Sequence, residues 1–281
     1  MTDKPVATIG ILTWRSKDLL RGLLESIRRC RFEYPYEIVV VDNDSRDDTI
    51  AMIERDWPEV RLVKNPVNRG VAPARNQIFR MSEREFVIIL DVDTEVHPGS
   101  LDALVRTMRE HPEAGIAGPK LVYGDGRLQL SCRPFPSPLN IAIEGTFLRE
   151  WFPRSRFVKD YTMEDWDHGE LREVDWMYGA ALIIRKTALD RVGLFDEGFF
   201  YLYEDIDLCF RVKKGGFKVL YDPRAVVTHF LPRERKGIFH SRFGIHCRSI
   251  QRYLLKDYYG LPLRTKDSVR AGGVLDGAPT A

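Results

Sequence analysis

Five consecutive apolar residues, Phe86-Val87-Ile88-Ile89-Leu90, run directly into Asp91-Val92-Asp93-Thr94. A run of that length suits a strand rather than a helix, and an uninterrupted one suits a strand covered on both faces, as in a parallel sheet. In open α/β sheets, ligands bind beyond the carboxyl ends of the strands. Asp91 and Asp93 fall at such an end. If the strand continues through them, alternation sends both carboxylates to the same side. Two carboxylates so placed suit a hard divalent cation that is itself holding phosphates. The plainer alternative is a solvated turn closing a strand.

The surrounding chain repeats the plan. Residues 6–13, 37–42 and 60–64 read as further Val- and Ile-rich strands. Residues 18–27 place Leu19, Leu20, Leu23, Leu24 and Ile27 at helical spacing, with one apolar face. Helices are also predicted from Thr49 through Ile53, from Pro73 through Ile78 and from Ser100 through Met108. Strand and helix thus alternate, which predicts an α/β fold with a parallel sheet covered on both sides. No GxGxxG precedes the first helix, so a dinucleotide fold is not indicated. The second half is less regular. Strands are predicted at 117–123, 175–184, 217–221 and 225–228, and helices at 187–192 and 204–212. The stretch 132–169 has no clear periodicity and reads as a long loop or lid.

Composition excludes several classes. A net charge of +2 is too small to imply nucleic-acid binding. The four cysteines show no CxxC spacing, so a zinc site or disulfide framework is not expected and a reducing compartment fits. The start of the chain lacks a signal-peptide pattern, and no apolar run approaches a membrane span. The expected location is cytoplasmic. Charge is nonetheless uneven: after Phe230, ten Lys and Arg stand against four Asp and Glu.

Four polar clusters follow strands or open helices: Thr13-Trp14, Asp42-Asn43, the segment Asn68 to Asn76 containing Gly70 and Arg75, and Asp91 with Asp93. Any one of them is compatible with turn chemistry. On one sheet edge they make a rim suited to a nucleoside diphosphate, with the base near the first loops and the phosphates at a metal. Glu204, Asp205 and Asp207 crowd a helix start. They can complement the helix dipole, or supply a general base beside the aromatic wall that precedes them. His229, at a strand end, taken alone reads as structural.

Taken in order, these motifs resemble the nucleotide-sugar glycosyltransferases of GT-A fold in the inverting family 2. The carriers are Thr13-Trp14, Val41-Asp42-Asn43-Asp44-Ser45, Asn68-Arg69-Gly70, Ala74-Arg75-Asn76, Asp91-Val92-Asp93, Gly179-Ala180, and Phe195-Asp196-Glu197 leading into Glu204-Asp205-Ile206-Asp207-Leu208. They span residues 6–230. The resemblance implies a Rossmann-like, mostly parallel nucleotide-binding sheet flanked by helices. It implies that Thr13 lies near the nucleotide, that Asp42 holds the base, that Arg75 helps bind the nucleotide and that Asp91 contacts ribose or sugar. Asp93 would bind Mn²⁺ or Mg²⁺, with His229 as a further ligand. Glu204 and Asp205 would carry the base, with Asp205 preferred. Trp14 departs from the smaller polar residue of many relatives, so the base pocket can differ. Bacterial rhamnosyltransferases of surface-polysaccharide assembly are the most similar in motif.

The expected organisation is a catalytic domain over 1–230, divided into a nucleotide-sugar half (1–115) and an acceptor half (116–230). A basic amphipathic helical extension follows over 231–266, and a disordered tail over 267–281. The expected partners are a nucleotide-diphosphate sugar and a saccharide or lipid-linked acceptor, without nucleic acid. Residues 231–258 are read either as a helix packed on the domain or as a peripheral contact with the inner face of the membrane. The rival functions are a sugar-nucleotide pyrophosphorylase and a non-catalytic nucleotide-sugar-binding protein. The absence of glycine in Thr13-Trp14-Arg15-Ser16-Lys17 counts against the first.

Overall fold

The computed structural model describes residues 4–144, 155–199, 202–230 and 243–260. Its first half follows the alternation of the sequence. The elements are β1 (Ala7–Thr13), α1 (Lys17–Arg29), β2 (Tyr36–Asp42), α2 (Thr49–Asp56), β3 (Arg61–Lys64), α3 (Val71–Met81) and β4 (Phe86–Asp91). Then come β5 (Thr94–Val96), α4 (Ser100–Glu110) and β6 (Ala114–Val122). The second half contains β7 (Cys132–Arg133), α5 (Pro138–Glu144), α6 (Arg156–Thr162), β8 (Arg172–Glu173), β9 (Trp176–Met177), β10 (Ala181–Arg185), α7 (Lys186–Val192), α8 (Glu204–Lys214), β11 (Lys218–His229) and α9 (Phe243–Tyr253). A π-helical turn, Leu254–Tyr258, continues α9.

The main sheet runs in the order β3-β2-β1-β4-β10-β6-β11-β5, with β8 pairing to β11. β1 lies between β2 and β4, parallel to both, and register sets Thr13 beside Asp42 and Leu12 beside Asp91. Three polar strand ends are therefore level along one edge. Phe86 through Leu90 are buried, as a strand covered on both faces requires. One apolar layer includes Leu20, Leu23, Leu24 and Ile27 of α1, Met52 and Ile53 of α2, and Leu101 and Leu104 of α4. The opposite layer includes Ala72, Ile78 and Phe79 of α3, Leu189 of α7, and Leu208 and Val212 of α8. α3 approaches β1 so closely that a Cβ at Gly10 would stand 2.4 Å from Cγ2 of Ile78.

The sheet is mixed and mostly parallel, as the motifs implied, with antiparallel pairs that the local alternation of strand and helix does not signal. β10 runs antiparallel to both β4 and β6, and β5 antiparallel to β11. The strand predicted over 175–184 is two short strands, β9 and β10, interrupted at Tyr178-Gly179-Ala180. The two strands predicted after residue 216 are one strand, β11, with a register shift between Asp222 and Val226 that absorbs Pro223. β5 was not expected, because three residues directly after an acidic turn carry no pattern. Among the described residues no helix is long and apolar enough to cross a membrane. The first part of the basic extension (231–242) and the tail (267–281) lie outside the described residues.

Candidate active site

At the ends of β1 and β2, Thr13 and Asp42 are buried side by side, and Oγ1 of Thr13 and Oδ1 of Asp42 have no hydrogen-bond partner among the described residues. The other carboxylate oxygen of Asp42 accepts from the Ser45 N–H at 3.0 Å, which fixes the turn. A buried acceptor and hydroxyl left open cost free energy unless a ligand pairs with them. The pair suits the N–H and carbonyl edge of a nucleobase. Trp14 stands beside them, 40% exposed, with the Arg15 guanidinium 5.2 Å from its ring. It can cover a flat base.

Asn43 has a different task. Its amide donates to Oδ1 of Asn68 at 3.0 Å and to the Gly70 carbonyl at 3.2 Å, and its Oδ1 accepts from the Arg69 N–H and from Asn65. Asn43 and Asn68 thus spend their polar atoms pinning the loop that opens α3. Gly70, at φ 85°, adopts a conformation that favours glycine.

Beyond β4 the chain turns sharply. Asp91 closes the strand, but Asp93 lies in the turn before β5, so strand alternation does not place it. The turn nevertheless brings the two together. One ligand atom each from Asp91, Asp93 and His229 lie within 4.8 Å of one another. β11 carries His229 here because its end pairs with β5, with His229 opposite Thr94. Nδ1 of His229 lies 2.8 Å from Oε1 of Gln129. An amide oxygen only accepts, so with Gln129 oriented this way Nδ1 donates, which fixes the ring with Nε2 turned toward the carboxylates. That Nε2 faces Oδ1 of Asp93 at 3.5 Å. Two carboxylates and an imidazole nitrogen gathered this closely form a donor set that suits a divalent cation.

The third part is the start of α8. Arg75, buried on α3, reaches across the rim. Its Nη2 donates to Oδ1 of Asp91 at 2.5 Å and to the Gly179 carbonyl at 3.1 Å, and its Nη1 lies 3.8 Å from Oε1 of Glu204. Asp205 accepts from the Gly179 N–H at 3.0 Å and from the Ile206 N–H at 2.9 Å. The break between β9 and β10 therefore serves the site: both polar groups of Gly179 point into it. A Cβ there would meet Arg75 at 3.2 Å and Asp205 at 3.3 Å. Burial, and then the charge of Asp205, push Glu204 up to about 7 against the opposing pull of Arg75. Burial also raises Asp205, while the Gly179 N–H and Arg75 oppose the rise. Oε2 of Glu204 has no hydrogen-bond partner among the described residues. Leu202 (φ 64°) and Tyr203 (φ 70°), just before the pair, are both left-handed. Such strain costs about 1–3 kcal/mol per residue and persists where surroundings over-determine it.

The rim resembles the donor site of a sugar transferase, and the chain's similarity to known proteins decides the family. The model of glycosyl transferase family 2 matches residues 8–164, more than half of the chain. The chain belongs to this family. This glycosyltransferase is 31% identical over 278 residues to the N-acetylglucosaminyl-diphospho-decaprenol L-rhamnosyltransferase of Mycobacterium tuberculosis, covering 94% of this chain and 89% of that one. Its fold is similar to that of a mannosyltransferase from Pyrobaculum calidifontis solved with GDP-Man and Mn²⁺, with TM-score 0.58 and 19% identity, over 98% of this chain and 67% of that one. It is also similar to S. aureus TarS in complex with UDP-GlcNAc, with TM-score 0.57 and 18% identity, over 92% and 68% of the two chains. The GT-A architecture expected from the motifs is the one found.

One residue of the glycosyltransferase's site was not singled out in the sequence. Gln129 orients His229 from a hairpin in which its N–H bonds to the Leu121 carbonyl. Only the proximity of the two segments reveals it. Ser45 joins the first two loops, its N–H held by Asp42 and its Oγ accepting from the Arg15 N–H. Arg75, expected to help bind the nucleotide, bonds to Asp91 and Gly179 through Nη2 and thereby also joins the strand end at Asp91 to the acid pair.

Proposed function

We propose that this glycosyltransferase moves a sugar from a nucleoside diphosphate sugar to an acceptor hydroxyl, with inversion at the anomeric carbon. The observation that carries the reading is Arg75, which ties the acidic strand end at Asp91 to the acid pair of α8. A leaving-group site and a base site thereby face one space. Thr13 and Asp42 take the base edge of the donor, under Trp14. Asp91 contacts ribose or sugar. Asp93 and His229, with Asp91 beside them, hold Mn²⁺ or Mg²⁺, since carboxylate and neutral imidazole are suited ligands. Bound there, the cation offsets the charge that grows on the departing diphosphate.

Asp205 takes the proton of the acceptor hydroxyl. It is the more accessible of the acid pair, and the Gly179 N–H aims its carboxylate. Glu204, buried behind it, sets the local field. Attack from the face opposite the diphosphate needs one displacement, and no residue acts as a covalent nucleophile. The named activity of the mycobacterial relative supports a lipid-linked acceptor and a rhamnosyl donor as the first substrates to try. A cytoplasmic enzyme in peripheral contact with the membrane fits such an acceptor.

The test is release of nucleoside diphosphate from a panel of nucleotide sugars with Mn²⁺, with and without a polyprenyl-diphospho-sugar acceptor. Transfer should vanish in Asp93→Ala and in excess chelator. Full transfer in chelator removes the cation from the reading. Pyrophosphate release from a nucleoside triphosphate and a sugar phosphate would replace the whole reading with a pyrophosphorylase.

A further inference from the structure

The C-terminal helix α9 and the π turn that continues it pack beside the first turn of α8, where Arg252 and Lys256 meet buried carboxylates. Arg252 donates to both oxygens of Asp196, at 2.8 Å from Nη2 to each and 3.0 Å from Nε to Oδ2. Lys256, one turn on, bonds to Asp196 at 2.7 Å and to Asp207 of α8. Both carboxylates are buried. The guanidinium lies where a side chain at residue 198 would be: a Cβ on Gly198 would stand 2.2 Å from Cζ of Arg252. The Arg252 and Lys256 cations also sit 5.5 Å and 5.8 Å from the Phe199 ring. Between them Tyr253 is buried, its ring 5.4 Å from that of Tyr203 and its hydroxyl donating to the Pro136 carbonyl.

We propose that α9 is a working part of the catalytic centre, with Arg252 and Lys256 as positioning residues that hold the first turn of α8 in register with Gly179. This rests on the reading of Glu204 and Asp205 as the acid pair. The placement argues for more than cover. Tyr203 and Leu202 hold a left-handed backbone immediately before Glu204, which needs support from outside the turn. α9 supplies it on two sides: Tyr253 against Tyr203, and Lys256 on Asp207 within the first turn. Arg211 of α8 also bonds to Asp207, and it ties the later turn of that helix to the Val192, Gly193 and Leu194 carbonyls, so Lys256 is the cation that reaches Asp207 from outside α8. The donor rim is built on β1, β2 and β4, whereas Arg252 and Lys256 bond, among the described residues, to Asp196 and Asp207. Release of α9 therefore predicts a loss confined to turnover.

The experiment compares Arg252→Gln/Lys256→Gln, Arg252→Lys and the exposed control Arg248→Gln in the full chain. Three quantities are read: kcat for transfer, affinity for nucleoside diphosphate with Mn²⁺, and hydrogen exchange of peptides covering 202–209. The double variant should lose kcat by roughly 100-fold, the scale of a misplacement of about 1 Å. Its nucleotide affinity should stay within about twofold, and exchange over 202–209 should rise. Arg252→Lys should recover most of the turnover, and Arg248→Gln should match wild type in nucleotide affinity and in exchange over 202–209. A double variant with wild-type kcat overturns the proposal, as does a parallel collapse of nucleotide affinity, which would mark a general loss of stability. Arg252→Lys folds most easily, and full loss of its turnover with unchanged exchange at 202–209 also overturns it. Wild-type protein inert toward every nucleotide sugar and acceptor overturns the underlying functional reading instead.

Discussion

Glu204 and Asp205 are neighbours in the chain with separate environments, and that separation gives them separate tests. Replacing Asp205 by Asn removes a proton acceptor with little change of shape. Donor affinity should hold while turnover falls by at least about 100-fold. If Glu204→Gln alone abolishes turnover, the two roles are exchanged. Glu204 also has a stability signature. Its folded pKa is raised to about 7, above the unfolded value, so the native state binds more protons than the unfolded state between roughly pH 4.5 and 7. Stability from this group is therefore lost as pH rises through that window. Glu204→Gln should melt above wild type at pH 8, by on the order of 1–3 kcal/mol, with the gap closing near pH 5. A variant less stable than wild type at pH 8 would show that the Arg75 contact outweighs the burial cost. Gln129 offers a test of the cation site that does not depend on turnover. Gln129→Leu frees the His229 ring, and Mn²⁺ affinity measured by electron paramagnetic resonance should fall about 10–100-fold. Unchanged affinity would make Gln129 a packing residue. The types of these acidic residues were legible in the sequence, since Asp42, Asp91, Asp93, Glu204 and Asp205 all follow strands or open a helix. The orientation of His229 was not, because Gln129 and His229 are brought together only by the pairing of distant segments.

Elements near the site depart from their expected form where the backbone itself is used. The apolar run over 175–184 reads as one strand, but Gly179 turns its N–H to Asp205 and its carbonyl to Arg75, so it cannot pair in a ladder. Apolar periodicity reports burial and is blind to that diversion. Gly179→Ala should therefore cost turnover before it costs the fold, because the added methyl meets Arg75 and Asp205 rather than the core. The expected result is a drop of at least about tenfold in kcat with a melting temperature within a few degrees. A melting loss with normal kcat in the remaining folded protein would contradict it. At the far side, the π turn after α9 buries Asp257, whose carboxyl is pushed up to about 7 by burial and by the charge of Asp207. By the same linkage, this contribution favours the folded state at acid pH and fades as pH rises toward 7. The helices and strands of the first half were legible because each is a local pattern. The bulge in β11 and the antiparallel sense of β10 follow from strand pairing, which no window of sequence contains.

At the scale of the whole molecule, the division into a regular first half and an irregular second half reflects two kinds of work. The regular half levels three strand ends into a donor rim, and the irregular half folds back to supply His229, Gln129, Gly179 and the acid pair. The charge of the C-terminal stretch is likewise divided in its use. Arg252 and Lys256 neutralise Asp196 and Asp207, so they are not available to an anionic surface. Arg248 is exposed on the same helix, and the remaining cations of 231–242 precede it in the chain. Each basic residue near an anionic bilayer contributes about 1 kcal/mol, screened by salt. If the enzyme meets a lipid-linked acceptor at the membrane, it should co-sediment with phosphatidylglycerol vesicles at low salt and be released at high salt. Changing Arg242 and Arg248 to Gln should weaken that binding. Arg252→Gln should leave it within about twofold while lowering turnover, because its charge faces a buried carboxylate. Equal loss of vesicle binding in all three variants would mean that α9 leaves the domain to meet the bilayer. Absence of binding at low salt would confine the basic stretch to packing and to a protein partner.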